Sequence, residues 1–202
     1  DLTSSVQIQR GLVSTSLAVP SAGGTVSVNT RAAEVDPGSG IKMSIGDNSY
    51  QKFTAFHNTG VNELGWSSSF LLGFWQGDGW RNGMQGEGTT YAFSVGYTPR
   101  GGDHEFNFSL IGAGQWHHQA YYGTQLQDYL DYGPIQGDDY RKFNALYGDY
   151  QGEEFSILRN YYNKPLATFN WDWEISSRVT LATSLYGSAG RGGGTGLRGR
   201  GS

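Results

Sequence analysis

From Gly40 onward, apolar and small polar residues alternate with period two, the pattern of a strand whose two faces meet different surroundings. Ile41, Met43 and Ile45 alternate with Lys42 and Ser44; Tyr91, Phe93, Val95 and Tyr97 with Ala92, Ser94, Gly96 and Thr98; Phe106, Phe108 and Leu110 with Asn107 and Ser109. In a longer run opened by Lys164 and Leu166, Ala167, Phe169, Trp171, Trp173 and Ile175 share one face, and Thr168, Asn170, Asp172 and Glu174 the other. Val179, Leu181 and Leu185 continue after a Ser176-Ser177-Arg178 turn. Weaker alternation around Phe53 and Ala55, and around Trp66, Phe70, Leu72 and Phe74, predicts two more strands. The total is about seven strands of roughly 9 to 11 residues, the length that carries a tilted strand across a bilayer core.

The connections alternate in length. Short turns fall at Asn62-Glu63-Leu64-Gly65, Arg100-Gly101-Gly102-Asp103 and Ser176-Ser177-Arg178; long ones cover 77–89, 119–164 and 190–202. Turns at one end and loops at the other predict an all-β, transmembrane antiparallel β-barrel. Trp171 and Trp173 near a short turn, and Trp75, Trp80 and Trp116 near the long connections, predict two interfacial aromatic girdles. The 119–164 stretch, rich in Tyr, Asp, Gly and Gln, reads as a loop suited to polar ligands or as plain solvated surface. The alternative is a soluble secreted carbohydrate-binding β-sandwich, whose inward Phe and Trp form a core and whose exposed Trp and Tyr stack on sugars. Solubility without detergent separates the two.

The residues ahead of this region divide differently. Val6-Gln7-Ile8-Gln9-Arg10-Gly11 and Gly23-Gly24-Thr25-Val26-Ser27-Val28-Asn29-Thr30-Arg31 predict two short strands around a small-residue loop, and Glu34-Val35-Asp36-Pro37-Gly38-Ser39-Gly40 reads as a linker. This pair resembles the end of the plug domain of TonB-dependent outer-membrane receptors: an apolar strand, Arg-Gly, a loop, Gly-Gly, an Asn-containing apolar strand and Thr-Arg. Gln7 and Gln9 stand where many members carry Glu. Gly77-Asp78-Gly79-Trp80, Gln115-Trp116-His117-His118, Asn160-Tyr161-Tyr162-Asn163-Lys164-Pro165 and the Gly190–Gly196 segment are similar to receptors of the Bacteroidetes type. The resemblance implies that residues 1–35 are the C-terminal part of a plug and 36–202 the first strands of a 22-stranded barrel, which about seven strands cannot close, so that the chain is a fragment.

The same resemblance implies a bacterial outer-membrane location and TonB-dependent active uptake of a solute. The implied partners are a TonB-type energy-coupling protein of the inner membrane, outer-membrane lipid, a surface lipoprotein, and a small solute, glycan or peptide held by the extracellular loops and the plug apex, including Ser14–Ser21. A receptor-like barrel acting as an adhesin or secretion-system partner shares this fold without transport. Ligand contacts are placed by position at Trp80, Trp116, His118, Tyr121, Tyr122, Tyr161 and Tyr162, which combine stacking with hydrogen bonding. Arg10 and Arg31 face a polar lumen in this reading, with Asp172 and Glu174 as partners in a plug-barrel latch; the alternative is that Arg10 caps its strand in water.

Composition narrows the remaining chemistry. Only 16% of the 202 residues are charged while 14% are aromatic, an unusual surface for a soluble domain. Mean hydropathy is nevertheless −0.49, as expected where one strand face is apolar and the other polar. No apolar run is long enough for a transmembrane helix. Without cysteine there is no disulfide or thiolate site, and a net charge of −4 excludes a general nucleic-acid binder. His117 and His118 are adjacent on a strand and point to opposite faces, so they do not share a metal. The acidic pairs Asp138-Asp139 and Glu153-Glu154 lack calcium-loop spacing. The Gly190–Gly201 segment lacks the Gly-Lys-Ser/Thr of a phosphate loop and reads as a mobile external loop. No catalytic, metal or cofactor motif stands out, so the expectation is a protein that is not an enzyme.

Overall fold

A computed structural model of the chain describes residues 5–10, 24–29, 31–120 and 123–196; over 5–7, 9, 10 and 24–29 it describes the backbone alone. Tyr121, Tyr122, the Ser14–Ser21 loop and the side chain of Arg10 lie outside the described residues.

Strands β1 (Ser5–Arg10) and β2 (Gly24–Asn29) pair antiparallel, with Val6 opposite Val28. A 3-10 turn at Ala32–Glu34 leads into β3 (Gly38–Ile45), β4 (Gln51–Asn58), β5 (Trp66–Gly77), β6 (Gly86–Tyr97) and β7 (His104–His118). After the long connection come β10 (Arg159–Asn163), β11 (Leu166–Ser176), β12 (Val179–Ser188) and β13 (Arg191–Gly194). These form one antiparallel sheet of nine strands, ordered β12-β11-β7-β6-β5-β4-β3, with β10 between β7 and β13. Strands β3 and β12 have one unpaired edge each among the described residues, so the sheet is open.

Nine strands reduce to seven rows. Both β10 and β11 pair with β7, and the register running from Trp173 opposite His104 to Leu166 opposite Ile111 continues unshifted to Arg159 opposite His118. The ladder breaks at Lys164 and Pro165 because proline has no N–H to donate. Strands β12 and β13 continue one another along β11 and β10 in the same way.

The faces of this sheet are inverted relative to a soluble protein. Ser67, Ser69, Ser94, Asn107 and Ser109 are buried, whereas Phe70, Leu72, Phe74, Phe93, Phe108 and Leu185 are exposed. Ser69 is 1% exposed and Leu72 59%, which rules out the burial pattern of a sandwich core. The polar face is closed by small residues. Ala32, fully buried, donates its N–H to Asn107 Oδ1 at 3.3 Å, and Asn107 and Ser109 each bond the Ser94 hydroxyl, at 3.1 and 2.9 Å. A Cβ at Gly96 would crowd the Ser67 hydroxyl at 2.6 Å and touch Ala33 of the 3-10 turn, so glycine keeps this part of the polar face open beneath the turn.

The apolar face carries one predicted girdle. Trp66, Tyr97, Phe106 and Trp171 are successive cross-strand neighbours at the short-turn end, with Trp66 and Tyr97 stacked at 4.4 Å and Phe106 and Trp171 at 6.2 Å. Trp173 stacks on Trp171 beside them. The second girdle needs correction: Trp116 is on the apolar face, but Trp75 is not. It follows Phe74, and consecutive strand residues point to opposite faces.

At the short-turn end, Gly65 has φ +84, its carbonyl accepts from Thr98 N–H at 2.9 Å, and a Cβ there would run into the Thr98 carbonyl oxygen. Gly65→Ala is expected to destabilise the folded protein by about 1–3 kcal/mol, read as a lower urea midpoint in detergent.

The 119–164 connection is structured rather than an open loop. Helix α1 (Leu126–Gln136) is followed by a 3-10 turn and the hairpin β8 (Tyr147–Tyr150) and β9 (Glu153–Ser156). Phe143 and Leu146 are buried, with Tyr129 edge-on to Phe143 at 5.8 Å. Asn144, 1% exposed, ties the unit together. Its N–H donates to Gln136 Oε1 at 3.0 Å, its amide to the Asn82 carbonyl at 2.9 Å, and its Oδ1 accepts from Leu146 N–H at 3.1 Å. Composition hid this unit because its small interior, Phe143 and Leu146, is held together through a buried polar side chain, Asn144. Asn144→Ala removes the amide's bonds to two separate segments, and faster amide exchange is expected across both 78–85 and 126–147, equivalent to about 1–3 kcal/mol. Within the predicted tail loop, Arg191–Gly194 is a strand that pairs with β10.

Candidate functional site

Two sites occupy opposite ends of the polar face. At the short-turn end, Glu105 on β7 and Asp172 on β11 are direct cross-strand partners. Arg31, just before the Ala32–Glu34 turn, reaches both carboxylates: its Nη1 lies 2.5 Å from Asp172 Oδ2 and 3.1 Å from Glu105 Oε1. Glu34 adds a longer contact at 3.9 Å. All three principal side chains are half-buried, at 26%, 32% and 24% exposure for Arg31, Glu105 and Asp172. Burial alone would lower the Arg31 pKa, but hydrogen bonding and attraction to Asp172, with Glu105 in support, raise it above the ordinary arginine range. Two like charges on adjacent strands repel, and a guanidinium with several donors satisfies both.

Of the four residues assigned to a latch, the structure brings Arg31 and Asp172 together. Glu174 is exposed and takes no part in these ion pairs. Glu105 was missed: its strand was recognised only from Phe106 onward, and the pairing of β7 with β11 across 119–164 has no local signal.

At the long-loop end, a cavity of about 380 Å³ is lined by Asp47, Tyr50, Trp75, Trp80, Met84 and His117 with several glycines. The tight turn between β3 and β4, with Asn48 and Ser49 at φ 56 and 57, supplies one wall, and the 78–85 connection the other. Asp78 N–H donates to the Asn48 carbonyl at 2.8 Å and joins them. Gly79, at φ +70, leaves room for Met84. The result is an aromatic wall with one carboxylate and one imidazole, suited to stacking on a ring while hydrogen-bonding its substituents.

The positional ligand set is thereby divided. Trp80 lines this cavity. Trp116, His118 and Tyr161 lie on the apolar face, where Trp116 packs on His118 at 5.3 Å and sits opposite Tyr161 in register. Tyr162 is on the polar face opposite Gln115, beneath the Lys164 ammonium at 5.4 Å. Trp75, Tyr50 and His117 were not in that set, although strand parity places Trp75 and His117 opposite to Phe74 and Trp116. Among the described residues, no group of three or more His, Asp or Glu side chains converges as a metal site.

Neither a protein-family model nor a curated protein matches the sequence. Among solved structures, the chain is similar to the ferric-catecholate import receptor Fiu from E. coli K12, in an open-form crystal structure, with a TM-score of 0.68 and 16% identity. The match covers 93% of this chain and 28% of the receptor chain, so the chain spans little more than a quarter of that receptor. With its open antiparallel wall and the segment packed on its polar face, the chain has the fold of part of a TonB-dependent receptor.

Proposed function

We propose that the chain is the end of the plug and part of the barrel wall of a TonB-dependent receptor, of the Bacteroidetes type that its motifs resemble, taking up a solute across the bacterial outer membrane. The observation that carries this reading is the inversion of the sheet: serine and asparagine are buried on one face while phenylalanine and leucine are exposed on the other. Such a surface suits lipid outside and a hydrated, plugged lumen inside. The open edges at β3 and β12 are where further strands would join.

In this mechanism the 380 Å³ cavity lies at the extracellular end and receives the solute from the loops. The structural neighbour imports ferric catecholates; here the Trp75, Trp80 and Tyr50 wall supports a ring-bearing solute without fixing its class. The Arg31 ion pairs anchor the end of the plug to the wall until force transmitted through a TonB-type protein rearranges it. The test is fractionation of the full-length protein followed by solute uptake. Outer-membrane, detergent-dependent behaviour is expected, with uptake at limiting solute falling about tenfold in Trp75→Ala and Trp80→Ala, the loss of a stacking contact of about 1.4 kcal/mol. A protein soluble without detergent would refute the reading.

A further inference from the structure

Counting up the apolar face from the Trp66–Tyr97–Phe106–Trp171 row, side chains stay apolar or small through Phe74 and Gly114. On β10 and β13 the polar side chains begin one row earlier, since Asn163 and Arg191 lie level with Phe74 and Gly114, and the following row is Gln76, Glu87, Trp116 and Tyr161, two strand residues beyond them. The change falls roughly 9 to 11 residues along the strands, where a tilted strand leaves the hydrocarbon. At this border a cavity of about 430 Å³ is lined by Phe74, Glu87, Trp116, Arg159, Tyr161 and Arg191 among others.

Its charges are arranged for an anion. The Arg159 guanidinium is held over the Trp116 ring at 4.4 Å, and Trp116 Nε1 donates to Glu87 Oε1 at 2.8 Å. The one carboxylate is thus occupied by the indole, while Arg159 and Arg191 have no carboxylate partner among the described residues. Register places both arginines on the face with Phe74 and Trp116, away from the lumen. A solute travelling through the barrel does not meet them; a lipid headgroup does.

Resting on the outer-membrane reading above, we propose that this cavity binds the phosphate of an anionic lipid headgroup in the outer leaflet. Guanidinium donors match phosphate oxygens in pairs, Trp116 and Tyr161 have the amphipathic rings that settle at headgroup level, and Phe74 below faces the first acyl carbons. Glu87 keeps its charge when the indole N–H bonds it, so two guanidinium cations against one carboxylate leave the cavity net positive, complementary to an anionic headgroup.

The test uses the full-length protein purified from outer membranes in detergent, with native mass spectrometry of lipid retention. The probes are diphosphorylated lipid A, the same lipid stripped of phosphate, and inorganic phosphate. Wild type is expected to retain the phosphorylated lipid about tenfold better than Arg159→Gln/Arg191→Gln, with Arg159→Lys/Arg191→Lys in between and all three showing the same folded band on unheated gels. The stripped lipid is expected to bind both forms equally weakly. Equal retention by wild type and the Gln variant, or equal binding of the stripped lipid by wild type, overturns the site. Displacement by inorganic phosphate at concentrations matching the lipid's also overturns it, as a free-anion site. In each case the protein stays in the outer membrane and the transporter reading stands; a protein soluble without detergent overturns both.

Discussion

Leu72→Arg is expected to block assembly of the full-length protein into the outer membrane, while Tyr186→Arg leaves it nearly unchanged. The two positions are similarly exposed, 59% for Leu72 and 70% for Tyr186, but lie on opposite faces. Leu72 stands opposite Ala55 and Tyr91 in the middle of the apolar band; Tyr186 is opposite Thr168 on the polar face. A guanidinium near the bilayer midplane costs about 2–4 kcal/mol, whereas in a hydrated lumen it keeps its water. The measurement is the folded fraction in outer membranes, from the unheated gel band. Equal behaviour of the two variants would contradict the assignment of faces, because a soluble sheet treats two exposed positions alike.

The second large effect is expected at the ion pairs. Arg31→Ala leaves Glu105 and Asp172 side by side with no cation. Removing one partner of a buried pair costs about 3–5 kcal/mol, and with each side chain a quarter to a third exposed, water screens this to about 2 kcal/mol. Protease cleavage within 5–10 and 24–29 of the membrane-inserted protein is therefore expected to accelerate about 20- to 30-fold. Adding Glu105→Gln and Asp172→Asn should recover part of the loss, since two amides in place of two carboxylates remove the repulsion. Asp172→Asn alone should cost less than Arg31→Ala, because Glu105 still holds the guanidinium. An Arg31→Ala protein cleaved at the wild-type rate would remove the latch.

The sign of the pH dependence follows from Arg31. Its pKa is raised on folding, so its contribution is fully present below the unfolded value and is lost only as pH rises through the folded one. Both lie far above neutrality. Over about pH 6 to 9, the protection of residues 5–10 and 24–29 conferred by Arg31 is expected to be flat, with no histidine-like step. The same protease assay on wild type and Arg31→Ala across that range checks this.

Strand faces were legible because alternation is a local property: Cβ atoms point to opposite sides of a strand in turn, so Phe106, Phe108 and Leu110 had to share a face that Asn107 and Ser109 do not. The same rule, applied strictly, separates Trp75 from Phe74 and His117 from Trp116, and proximity to a loop was the weaker guide. The 119–164 segment was opaque for a different reason. Its helix and hairpin are organised around the buried Asn144 and the half-buried Asn82 and Gln136, residues whose polarity looks like solvent exposure in one dimension and proves to be spent on hydrogen bonds between segments in three.

By itself, the sequence determined the all-β class, the period-two faces, the short turns and the pairing of a polar face with an aromatic one, since each depends on neighbours within a few residues. Tertiary structure decided which side chains meet. Glu105 lies 74 residues from Arg31, which the Ala32–Glu34 turn holds over the sheet, and Asp172 joins them because β7 pairs with β11 across a long excursion. Likewise Arg159 reaches Trp116 only because β10 extends β11 in register past Pro165. Sheet register brings these residues together over distances that no local pattern encodes.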